Sequence, residues 1–182
     1  MGMMGKTVMC ALAILLGSSV AAGPSATFTL SSPAFRAGAP LSAANEYGGG
    51  MGCRGGNTAP RLTWSGVPTG TRSFALTVVD PDVTAVPGGF VHWVVYNIPA
   101  SWRYMYGNGP RGTTGGTSGF GSRVYNGPCP PLHAGPHHYH FTLYALNLPA
   151  LATLGLTRDA LLRAISGHIL GTAQLIGTFQ RP

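Results

Sequence analysis

The chain has 182 residues, only 8% of them charged, and a formal net charge of +7. That length holds one domain, or one domain with a removable segment, and suffices for a real core without staples. Lys6 is the only lysine and the ten arginines are scattered from Arg36 to Arg181 with no two adjacent, which argues against nucleic-acid binding, where a basic stripe with nearby aromatics is expected.

In chain order, Lys6 precedes an apolar run over 8–16, and Val20-Ala21-Ala22 supplies small residues before a boundary. This is the pattern of a secretory signal peptide over 1–22, cleaved after Ala21 or Ala22, followed by a domain over 23–182. The run is short for a membrane span, so an uncleaved anchor is the lesser reading. Cys10 lacks the small-residue context of a lipid-modified cysteine. The expected location is therefore exported, periplasmic or secreted. Removing the leader leaves Cys53 and Cys129, and an even count in an exported chain suggests a disulfide, with two buried free thiols as the alternative.

The 28 glycines and 15 prolines sit between strong, spaced apolar runs, which indicates a loop-rich β domain rather than disorder. Short strands are expected at 27–30 and 62–64, and near-continuous apolar strands at 73–79 and 90–98. A glycine-rich loop spans about 105–124. A third strong strand runs over 139–148, and a last one over 174–180. One helix is expected, with Thr157 as N-cap, Asp159 in the first turn and a stripe of Leu161, Leu162, Ile165 and Ile169. His168 would stand in its last turn. The pattern predicts an all-β fold, an antiparallel two-sheet sandwich with one C-terminal helix and short peripheral helical turns.

The chain has only four carboxylates: Glu46, Asp80, Asp82 and Asp159. Acid/base chemistry therefore narrows to Asp80, Asp82 and the histidines. Side chains alternate along a strand, so His137, Tyr139, Phe141 and Leu143 share one face. His138, His140, Thr142 and Tyr144 take the other, and His92 is placed with Val94, Tyr96 and Ile98. Asp80 and His137 fall at strand ends, where polar groups converge at one mouth of a sandwich and leave the core dry.

Four stretches hold most of the polar chemistry: Asp80-Pro81-Asp82, Gly89-Phe90-Val91-His92-Trp93, Gly127-Pro128-Cys129-Pro130-Pro131 and His137-His138-Tyr139-His140-Phe141. Together with Gly52-Cys53-Arg54-Gly55-Gly56-Asn57 they resemble the signature of the phosphatidylethanolamine-binding protein family, the Raf kinase inhibitor-like proteins, and most closely its bacterial exported branch. The resemblance covers essentially all of the mature chain. It implies a two-sheet β-sandwich with a small pocket for phosphate-type anions, including phospholipid headgroups. The matching ligand positions are Asp80, His92, His137 and Tyr139, around a cavity lined by Phe90, Gly127, Cys129 and Pro130. No catalysis and no cofactor are implied. The partner implied is a small anionic ligand; a peripheral membrane contact and a protein partner stay open. Val83-Thr84 after Asp82 and His138 in place of the family's arginine depart from the pattern.

Three rival readings remain, one of them a protein-interaction or inhibitor module that uses the pocket end. His138 and His140 have the i, i+2 spacing of a zinc site, with His133, His92 or Asp80 as a third ligand, but the favoured reading is solvent-facing surface without a metal. An Asp/His hydrolase would need a nucleophile, and Gly116-Thr117-Ser118-Gly119-Phe120 misses the final glycine of the nucleophile elbow.

Overall fold

The computed structural model describes residues 1–2, 26–109 and 111–182. Residues 3–22 of the leader, and with them the cleavage site, lie outside the described residues. The described strands are β1 (Thr29–Ser31), β2 (Leu62–Ser65), β3 (Ser73–Asp80), β4 (Phe90–Pro99), β5 (Tyr104–Met105), β6 (Thr114–Gly115), β7 (His137–Leu146) and β8 (Ile169–Phe179), with one α-helix, α1 (Arg158–Ala164). Among the described residues, one 3-10 turn, Ala43–Asn45, is the peripheral helical element. The strands form two antiparallel sheets, β1-β2-β5 and β6-β4-β3-β7-β8.

The apolar run at the centre of the sequence becomes the centre of the larger sheet. All eight residues of β3 are buried, because β4 and β7 flank it and both of its faces are covered. On one face Phe74, Leu76 and Val78 join Phe141 and Leu143 against Leu30, Leu62 and Trp64 of the smaller sheet. On the other face Ala75, Val94, Tyr96 and Leu146 pack against Leu161 and Ile165. Each such large aliphatic or aromatic side chain contributes about 1.5–3 kcal/mol on burial.

The helix is shorter than its apolar stripe. Thr157 caps it through its hydroxyl, which accepts from the Ala160 amide at 3.3 Å. It ends at Ala164, and Gly167 turns the chain at a φ of +78°. Ile169 is therefore the first residue of β8, opposite Leu146, and not part of the helical stripe. His168 is not in a last turn either; its Nδ1 meets the Asn147 side-chain oxygen at 2.8 Å. β8 also starts earlier than the expected 174, because its ladder with β7 continues back to Ile169.

Strand parity fails in β4 for a local reason. Val78 faces Trp93 and Val79 faces Val91, so His92 is the unopposed residue of a β-bulge. A second bulge lies between the Phe74/Ile98 and Leu76/Val95 pairs, where Asn97 has a φ of 56°. The expectation that His92 shares a face with Val94 and Tyr96 is thus corrected. Those two residues face the helix. Trp93 and Val95 face the other sheet, and the His92 ring lies 5.1 Å from that of Tyr139 in the same inter-sheet layer.

Candidate functional site at the mouth of the sandwich

β3 ends at Asp80, β4 begins at Phe90 and β7 begins at His137, so three strand ends meet at one edge of the sheet. Asp80 and His137 are both buried there, and His137 Nδ1 lies 2.7 Å from Asp80 Oδ2. The carboxylate accepts, so Nδ1 carries the hydrogen and Nε2 is the remaining ring nitrogen. The other oxygen of Asp80 accepts from the Asp82 amide at 2.9 Å, a turn within the tripeptide. Tyr139, on the same face as His137, is buried, and its hydroxyl faces the Asp80 carboxylate without completing a hydrogen bond of normal geometry. Burial first, and then the Asp80 charge, push the phenol up, so it stays a neutral donor.

His92 is held from the opposite side. Its Nδ1 lies 2.9 Å from the Asn126 carbonyl, an acceptor, which fixes the hydrogen on Nδ1. Burial pushes this imidazole below its usual value, against the Asn126 carbonyl and the Asp80 charge, which act upward. A neutral His92 with its hydrogen on Nδ1 leaves Nε2 as a bare acceptor.

Of the expected wall residues, Phe90 packs directly against this group, and the others lie in the adjoining loops. The Phe90 ring lies 5.3 Å from that of His92. Cys53 and Cys129 form a disulfide with Cα atoms 5.9 Å apart, inside the range such bonds require. Pro130 is buried, and its carbonyl accepts from the Arg181 guanidinium at 3.2 Å, while Arg181 also donates to the Gly52 carbonyl at 3.0 Å. The tail arginine thus ties the two disulfide loops together. Gly127 runs so close to the Ala43–Asn45 turn that a Cβ would overlap the Asn45 carbonyl, and its amide donates to the Asn57 side chain at 2.9 Å.

Three contributors were not read from the sequence. Phe120 stacks edge-on at 5.0 Å from Phe90 and 5.6 Å from His92, and Tyr47 lies 4.8 Å from Phe120. Asn126 orients His92. Tyr47 and Phe120 lie in glycine-rich loops and Asn126 just before the Gly127 loop, where no periodicity marks a side chain's direction. Gly119 is the only hint, since a Cβ there would press on the Phe90 ring.

Among the described residues, the His138–His140 zinc arrangement and a histidine-activated nucleophile are not assembled. His138 turns outward and binds the second carboxylate of the tripeptide: its Nδ1 and its amide both meet Asp82 Oδ2, at 2.9 and 2.6 Å. Burial acts to raise the Asp82 carboxyl, but these bonds outweigh it and hold the group below its ordinary value. His140 instead lines a shallow groove on the outer sheet face with Thr77, Thr142 and Arg158. The metal-type donors brought together among the described residues are Asp80, Asp82 and His137, with one atom of each within 4.8 Å of the others. Ser118 is buried against Ser122 and Asn126, and no histidine bonds a serine or cysteine among the described residues. A groove of about 910 Å³ away from this mouth gathers Arg103 and Arg111 with Trp102, Tyr104 and Tyr106.

Comparison with known proteins agrees with this architecture. The family model described as phosphatidylethanolamine-binding protein matches residues 31–180. The chain is 36% identical over 164 residues to the UPF0098 protein YbcL of Escherichia coli K12, covering 85% of this chain and 88% of that one. It is 43% identical over 157 residues to a Mycobacterium tuberculosis H37Rv protein named as the lipoprotein LppC, covering 84% of this chain and 72% of that one. The crystal structure of E. coli YbcL, described as a member of the mammalian PEBP family, superposes with a TM-score of 0.80 at 34% identity, over 86% of this chain and all of that one.

Proposed function

The chain belongs to the phosphatidylethanolamine-binding protein family, and we propose that it is an exported, non-catalytic binding protein for a small phosphate-type anion. Asp80, His92, His137 and Tyr139 hold the ligand, and Phe90, Gly127, Cys129 and Pro130 wall it. The observation that carries this reading is the convergence of the buried Tyr139 phenol on the buried His137–Asp80 pair, where its hydroxyl faces Asp80 without completing a hydrogen bond of normal geometry. A buried donor without a well-placed acceptor costs about 1–3 kcal/mol, and a bound oxyanion removes that cost. Asp80 orients His137 instead of touching the anion alone, since a bare carboxylate repels it.

Export is supported by the leader pattern, by the disulfide, and by the name of the mycobacterial relative. Calorimetric titration of the purified protein with phosphoethanolamine, with product analysis of the same mixtures, tests binding and the absence of hydrolysis together. N-terminal sequencing of the protein from an extracytoplasmic fraction tests cleavage after Ala21 or Ala22. An intact Met1 on soluble protein rejects it.

A further inference from the structure

We infer that this site takes its phosphate with a proton on it: the ligand is a monoester or free phosphate bearing a P–OH, and fully ionised or diester anions are rejected. The inference rests on the anion-binding reading above and narrows it.

The argument starts from the charges. Asp80 and Asp82 bring two carboxylates to one mouth, each with an oxygen within 4.8 Å of the other and of a His137 nitrogen. Among the described residues no lysine or arginine bonds Asp80, Asp82, His92, His137 or Tyr139. A phosphate beside Asp80 would meet like charge, and among the described residues no lysine or arginine bonds that carboxylate. A proton on the phosphate changes the sign of one contact, because a P–OH donates where a bare oxygen repels.

Acceptors for such a hydrogen are present. Each oxygen of Asp80 accepts one hydrogen bond, from Asp82 or His137, and a carboxylate oxygen has a second lone pair. His92 has committed its Nδ1 hydrogen to the Asn126 carbonyl, so its Nε2 accepts. The burial of His92, which disfavours its charged form, supports the same assignment. Tyr139 supplies the complementary donor to an unprotonated oxygen. The site therefore offers acceptors and donors together, the set that a monoprotonated phosphoryl group matches. Sulfate has the same shape but no proton near neutral pH, and a phosphodiester, such as a phospholipid headgroup, has no P–OH.

Two matched pairs test this by calorimetry on the purified protein at pH 6.0, where about half of a monoester carries the second proton. Inorganic phosphate is compared with sulfate, and phosphoethanolamine with glycerophosphoethanolamine. The expected result is at least tenfold tighter binding of the protonated member of each pair. Sulfate or the diester binding within about threefold of its partner overturns the inference and leaves the anion site standing. Binding of none of the four overturns the anion site itself, and the inference with it. Asp80→Asn, whose amide also donates, should bring sulfate to within about threefold of phosphate. Should that variant not fold, the wild-type series decides alone.

Discussion

His137 and His138 are adjacent in β7, yet each grips a different carboxylate of one tripeptide. His137 Nδ1 lies 2.7 Å from Asp80 Oδ2 inside the sandwich, and His138 Nδ1 lies 2.9 Å from Asp82 Oδ2 at its surface. The strand's period of two separates them. The inner pair is buried and belongs to the proposed site; the outer pair pins the loop after β3.

This relationship predicts two different outcomes of alanine substitution. His137→Ala removes a charge-assisted bond worth about 1.5–3 kcal/mol and should weaken phosphoethanolamine binding about tenfold or more. His140→Ala alters only the outer groove and should leave affinity unchanged. Calorimetry of both variants decides; equal losses would place the site on the wrong face of β7.

His138→Ala should cost little stability, about 1 kcal/mol or less, because its side chain and that of Asp82 are both more than a third exposed and screened by solvent. Urea denaturation at pH 7 measures this. A loss of several kcal/mol would mean that the loop over 81–89 is held by this residue to a degree the exposed geometry does not explain.

His92 predicts a pH dependence. Its folded value is lowered by burial, so between that value and the unfolded value of about 6.5 the unfolded chain binds the extra proton. The contribution is fully present above about pH 6.5 and is lost as pH falls below it, with a slope of at most about 1.4 kcal/mol per pH unit. Denaturation curves at pH 7.5, 6.5 and 5.5 should show the fall, and His92→Gln should reduce it. A wild-type stability that is flat across this window contradicts the assignment.

The Cys53–Cys129 bond closes a long loop, with the two residues 76 apart in sequence. Replacing both with serine should lower stability by about 2–4 kcal/mol. The same variant loosens the Gly127–Pro131 wall, so phosphoethanolamine affinity should fall with it. Denaturation and titration of the double variant, against reduced wild type, check both effects.

Gly127→Ala should destabilise by about 3 kcal/mol or more, because its Cβ would overlap a backbone carbonyl and not a flexible side chain. Gly38→Ala is the control for packing, since a Cβ there meets nothing; its φ of +76° leaves only a conformational cost of about 1 kcal/mol.

By itself the sequence determined the sheet core and the shortlist of polar residues, and it made a bond between the two late cysteines the expected outcome. Apolar runs such as 73–79 can satisfy their burial only as interior strands, and with four carboxylates in the chain Asp80 and Asp82 had few rivals. Tertiary structure alone decided what breaks local periodicity. The bulge that turns His92 toward Tyr139 is a property of the β3–β4 register, which no single strand's pattern contains. The same holds for Phe120 and Tyr47, aromatic residues in glycine-rich loops whose directions are set by close backbone approach. It holds too for Arg61, which the pairing within the smaller sheet brings to 5.2 Å from the centre of the Tyr104 ring. Side-chain alternation is a local rule; which strand ends meet depends on the long-range ladders that close the sandwich.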